Sequence, residues 1–136
     1  MLPIVTNEAV INILAAKKTL LANYKIRLWQ NTLSALTINT TVADLIANEA
    51  TYSGYGAITA LTAPNPYLVP GGGGNLQLPT AQFQPTGTVV QNMIRGWWVE
   101  LSTGEIQLAG QFDSDIAMND VTAAIPLDII FNQANR

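Results

Sequence analysis

Residues 96–112 constrain the fold more than any other stretch of the chain. Apolar side chains alternate with other residues on both sides of a short connection at 102–104; they are Trp97, Val99 and Leu101 before it and Ile106, Leu108 and Phe112 after it. A three-residue connection closes as a type I turn followed by a left-handed residue, and Gly104 takes that position without the steric cost of a Cβ atom. The segment therefore predicts a β-hairpin with Trp97 on its core-facing side.

Shorter strand patterns surround this hairpin. They are predicted at residues 24–29, 51–61, 80–85, 88–94 and 125–131. Pro126 interrupts the last of them, so this strand is expected at a sheet edge or a bulge. Residues 64–75 contain three prolines and four consecutive glycines and predict a surface loop. Seven or eight short strands indicate a mainly all-β, jelly-roll-like β-sandwich over residues 23–136.

The residues before the first strand predict a helical arm, residues 1–22. A helix over 3–16 has Thr6 or Asn7 as its cap and a narrow apolar stripe formed by Val10, Ile11 and Leu14. A helix this short needs a surface to lie on, which can belong to its own sandwich or to a neighbouring subunit. A second capped turn is predicted at 40–44, with Leu45 and Ile46 turned inward.

The chain is unusually poor in charge. Charged residues make up 11% of the 136 residues, against about 25% in an ordinary soluble domain, and none occurs between Glu49 and Arg95. A net charge of −3 with 49% apolar residues favours a protein whose faces are covered by neighbours. An ordinary domain rich in Thr and Asn is the alternative. The N-terminus lacks a basic segment, so no signal peptide is expected and assembly is predicted in the cytoplasm.

Several classes of chemistry are disfavoured. The chain has no Cys and no His, and we expect no enzyme activity, no cofactor and no metal site. A polar turn is predicted at 113–120, and its acids lack the spacing of a calcium loop. Glu100 and Glu105 are expected at a solvated hairpin end. Four of the six cations lie in the first 27 residues without a longer basic stripe, so nucleic-acid binding is not expected. Prolines interrupt the long uncharged run, which excludes a membrane helix there.

Large aromatic side chains are the most informative candidates for a binding surface. If Trp97 faces the core, Trp98 faces outward, and so does Trp29 on the first strand. Such side chains are covered by the chain's own arm, by a neighbouring subunit or by a bound sugar. The interface candidates are Val10, Ile11, Leu14, Trp29, Tyr67 and Trp98.

The order of these features resembles small structural proteins of tailed bacteriophage particles. The resemblance covers residues 22–132 and rests on five short stretches, at 24–29, 40–45, 52–55, 96–99 and 110–112, followed by a closing strand. Proteins of this kind decorate or cement capsids or occur near tail fibres. The resemblance implies a β-sandwich, often trimeric on the shell, without catalytic residues.

This resemblance leads to two functional hypotheses. The first is a capsid decoration or cement protein, a homotrimer on the capsid exterior that bridges major capsid protein subunits and stabilises the phage head. The arm and the 64–75 loop would make the contacts. The alternative is a tail-fibre module that binds a receptor or carbohydrate through Trp98, Trp29 and Tyr67.

Overall fold

A computed structural model describes residues 3–59, 65–86 and 92–135. These ranges contain two helices and nine strands. In chain order they are α1 (Asn7–Leu20), β1 (Lys25–Gln30), α2 (Val42–Ala47), β2 (Ile58–Thr59), β3 (Tyr67–Leu68), β4 (Gly74–Gln77), β5 (Ala81–Phe83), β6 (Met93–Glu100), β7 (Ile106–Ala117), β8 (Ile125–Leu127) and β9 (Ile130–Gln133). The strands form three antiparallel sheets in the orders β2-β1-β6-β7, β3-β4-β9 and β5-β8. The prediction of a mainly β protein is confirmed.

The predicted hairpin is the centre of the largest sheet. β6 and β7 are joined by residues 101–105, where Gly104 has a φ of 91° and its amide donates to the Leu101 carbonyl at 2.9 Å. The pairing skips Gln107, because Val99 faces Leu108 while Glu100 faces Ile106. This bulge moves Ile106 to the opposite face from Leu108, so the prediction that they share a face is wrong.

Several predicted strand limits differ from the structure. β7 continues to Ala117 through the predicted polar turn, and the predicted closing strand is divided into β8 and β9. The predicted strand at 51–61 is confined to β2 in the structure. Gly54 lies in a turn before it and has a φ of 82°, and residues 60–61 lie outside the described ranges. Residues 88–91 of another predicted strand also lie outside them. Pro126 is exposed on β8, which pairs with β5 among the described strands.

The predicted loop at 64–75 is partly a β-hairpin. β3 and β4 pair through Tyr67–Asn75 and Leu68–Gly74, and the amide of Val69 donates to the Gly73 carbonyl at 3.0 Å. Gly71, Gly72 and Gly73 all have positive φ, a conformation that side chains with a Cβ atom rarely adopt. The glycine run is therefore a tight turn between strands. Residue 64 lies outside the described ranges.

Helix α1 lies on its own chain. Thr6 caps it by accepting a hydrogen bond from the Ala9 amide at 3.2 Å, and the helix continues four residues beyond the predicted end. Val10 and Leu14 are buried over β4, where a Cβ atom added to Gly74 would lie 2.8 Å from Val10 Cγ1. The contacts that the structure describes for α1 are with strands of its own chain, which is the first of the two surfaces predicted for this helix.

Two apolar clusters form the core. The larger one draws side chains from all three sheets and from α1. The smaller one lies on the other face of the β2-β1-β6-β7 sheet and consists of Trp29, Leu45 and Trp98, with Leu33 and Leu36 packed against it. Helix α2 begins at the predicted capped turn, with a capping box between Thr41 and Asp44, and it contributes Leu45 to this cluster. The prediction that Ile46 also turns inward is wrong, because this side chain is half exposed.

Candidate docking surface

The two tryptophans predicted to face outward are fully buried. Trp29 and Trp98 have no exposed surface, and Trp29 Nε1 donates to the Gly110 carbonyl at 3.3 Å. Both do lie on the sheet face opposite the larger cluster, as strand alternation predicts. Residues 31–47 cover them, so the observed cover belongs to the same chain but is not the predicted N-terminal arm. Neither ring is available to a ligand or a partner.

The covering segment leaves an open groove beside β7. The groove has a volume of about 540 Å³. Its lining is largely apolar, and the residues are Leu36, Thr37, Ile38, Thr40, Leu45 and 106–109. Ile38 is 100% exposed at this groove. When a partner covers a fully exposed aliphatic side chain, the free energy falls because apolar surface is removed from water.

Strand β7 gives this groove a second property. β7 is the last strand in its sheet, and in the described part of the chain it pairs with β6 alone. Residues 106–112 carry no charge, whereas edge strands are commonly protected by charged or proline residues. The outer backbone groups of residues 106–112 can therefore pair with an added strand, and the groove can accept side chains from it.

A partly buried ion network lies just after the covering segment and links Glu49 to the sheet. Arg27 binds Glu49 at 2.8 Å and Glu100 at 3.3 Å, and the Tyr55 hydroxyl donates to Glu49 at 2.7 Å. Burial raises the pKa of the Tyr55 hydroxyl far above its usual value. The prediction of a solvated Glu100–Glu105 pair is wrong, since Glu100 is buried. Arg27 is shared between Glu100 and Glu49, so each charged group of this network has a partner within the fold, and a structural role is the best account of it.

Two of the acids in the predicted polar turn, Asp115 and Asp120, have separate structural partners. Asp115 accepts two hydrogen bonds from the Arg95 guanidinium, at 2.9 and 3.0 Å, and this contact lowers the pKa of the Asp115 carboxyl. Arg95 also donates to the Ser34 carbonyl, which anchors the start of the covering segment. Hydrogen bonds from Thr122 lower the pKa of Asp120. In the ranges that the structure describes, no three acidic, His or Cys side chains converge on one point.

The remaining predicted interface residues are dispersed. Val10 and Leu14 are buried under α1, and Ile11 beside them is partly exposed. Tyr67 lies on β3 and is 44% exposed, far along the sequence from the tryptophans and outside their cluster. Sequence reasoning missed Ile38. Its signal was present, because it is a single large aliphatic residue within a polar Thr-Ile-Asn-Thr stretch.

Comparison with protein-family models, with curated proteins and with solved structures finds no match for this chain. Within residues 3–59, 65–86 and 92–135, neither helix has the length and apolar character required to cross a membrane.

Proposed function

We propose that this protein is a structural subunit of a tailed-bacteriophage virion. In this proposal it is a capsid decoration or cement protein, without enzyme activity, that bridges major capsid protein subunits on the head exterior. The observation that carries the proposal is the fully exposed Ile38 at an apolar groove beside the edge strand β7. The low charge of the chain and the sequence resemblance to capsid-decorating proteins support it further.

The groove suggests a mode of attachment. An extended segment of the major capsid protein would pair with β7 and place an apolar side chain against Ile38 and Leu36. One such contact is small, so retention on a shell would depend on several copies acting together, as in the proposed homotrimer. A jelly-roll-like sandwich is part of the same proposal. It is supported by the larger cluster, to which all three antiparallel sheets contribute.

The variant Ile38→Asp tests this proposal. Because the side chain is fully exposed, folding should be unaffected, whereas covering a carboxylate with protein is unfavourable. We expect at least roughly tenfold weaker binding to purified shells, corresponding to about 1.4 kcal/mol or more. Co-sedimentation with shells measures this binding.

The matched control for this experiment is Val121→Asp. Val121 is also an exposed aliphatic residue, but it does not line the groove. The Val121→Asp variant should bind shells like the unmodified protein. Equal binding by Ile38→Asp and the unmodified chain would exclude the groove as the attachment site.

The tail-fibre or carbohydrate-binding alternative relies on three aromatic residues, of which one is accessible to a ligand. Trp29 and Trp98 are buried, whereas Tyr67 is accessible on β3. One accessible ring does not favour a tail-fibre location. It leaves the sheet face on which Tyr67 lies as the place where a ligand could contact an aromatic side chain.

A further inference from the structure

We propose that the outer face of the β3-β4-β9 sheet is a binding site for neutral oligosaccharides. The two faces of this sheet differ because strand side chains alternate. Gly74 and Leu76 lie on the face covered by α1. The opposite face carries Tyr67, Asn75 and Asn132 in one cross-strand row and Gln77 and Ile130 in the next.

The chemistry of this outer face suits a sugar. Tyr67 offers a half-exposed ring, against which the apolar side of a pyranose can pack. The side-chain amides of Asn75, Gln77 and Asn132 supply both donors and acceptors, and hydroxyl groups of a saccharide require both. Asn132 already donates to Asn75 Oδ1 at 2.8 Å, which orients these two amides across the sheet.

Two hollows extend the face in the strand direction. One, of about 310 Å³, is lined by Asn65, Tyr67, Gln77, Leu78, Pro79 and Thr80. The other, of about 460 Å³, lies near the glycine turn and is lined by Gly71, Gly72, Asn132, Ala134 and Asn135. The strand register places them toward opposite ends of the sheet, with the Tyr67–Asn75–Asn132 row between them. An extended oligosaccharide fits this layout better than a single sugar unit.

The electrostatics favour a neutral ligand. None of the five residues in the two rows is charged. Two charged side chains of opposite sign border the first hollow, so its border carries no net charge. Lys18 Nζ donates to Asn65 Oδ1 at 2.8 Å, and Asp128 accepts a hydrogen bond from Thr80. A sialylated glycan would find no unpaired cation among the residues that line the two hollows.

The experiment uses the full chain on an array of neutral and sialylated glycans, followed by titration of the strongest neutral oligosaccharide. We expect Tyr67→Ala to weaken binding by about tenfold, while Tyr67→Phe stays within about threefold because it keeps the ring. Asn132→Ala should also weaken binding, since it removes an amide from the row.

Leu68→Ala is the matched control. Leu68 is the next residue of β3 and is equally exposed, at 44%, but it pairs with Gly74 on the face that α1 covers. It should bind the oligosaccharide like the unmodified protein. The inference would be overturned by an array without neutral ligands, by preferential binding of sialylated glycans, or by equal effects of Tyr67→Ala and Leu68→Ala. None of these outcomes bears on the groove at Ile38, which is lined by other residues.

Discussion

Replacing Trp98 by alanine is expected to lower the free energy of unfolding by about 3–5 kcal/mol. Trp98 has no exposed surface, and it packs with Trp29 and Leu45 beneath the covering segment. Removing the ring leaves a cavity between the sheet and residues 31–47, which Arg95 anchors through its hydrogen bond to the Ser34 carbonyl. Urea denaturation followed by circular dichroism measures the change.

The control for this experiment is Trp98→Phe. Among the described residues, Trp98 Nε1 is a buried donor without a hydrogen-bond partner, so its removal sacrifices no such bond. Trp98→Phe should therefore lose clearly less stability than Trp98→Ala. A Trp98→Ala protein as stable as the unmodified chain would show that this ring is a surface group, as the sequence pattern first suggested.

The second large effect is expected for Gly96→Ala. A Cβ atom at this position would lie 2.2 Å from the Gly110 carbonyl oxygen and 2.5 Å from the Trp29 ring. Relief requires movement of the β7 backbone or of a fully buried indole, and neither can shift freely. We expect a loss of about 3 kcal/mol, at the upper end of the usual cost of overpacking.

Gly56→Ala provides the comparison for Gly96→Ala. A Cβ atom added to Gly56 meets no atom within 4 Å, and the residue has no positive φ that would strain a side chain. Its effect on urea unfolding should be within about 0.5 kcal/mol. Similar losses in both variants would mean that Gly96 is not needed for the close approach of β6, β7 and Trp29.

Local signals in the sequence predicted much of this fold. The hairpin turn depends on Gly104, the first helix on Thr6, and the second helix on the Thr41–Asp44 capping box, and each is confirmed by its own contacts. These features involve residues within a few positions of one another, and their chemistry is largely independent of the rest of the chain.

The faces of the central sheet could not be assigned in this way. Strand alternation correctly placed Trp97 and Trp98 on opposite faces of the sheet, but it does not show whether the second face is exposed to solvent or covered by protein. That depends on the packing of residues 31–47, which have a weak apolar pattern of their own. The bulge at Gln107 reverses the side on which Ile106 lies, and the ion pair between Arg27 and Glu100 joins positions 73 residues apart.

The candidate sites were harder to predict for the same reason. The groove combines Ile38 with residues of β7 that lie about seventy positions later in the sequence. Tyr67 was selected as an aromatic residue within a predicted loop, but its amide neighbours follow from pairing of β4 with β3 and β9. Cross-strand pairing of this kind is set by tertiary structure, and one sequence does not reveal it.

Cryo-electron microscopy of phage shells incubated with the purified protein tests the central proposal most directly. The account predicts density for this chain on the shell exterior, with β7 and Ile38 facing a major capsid protein subunit. Shells that carry no such density, or density confined to the tail fibres, would contradict it.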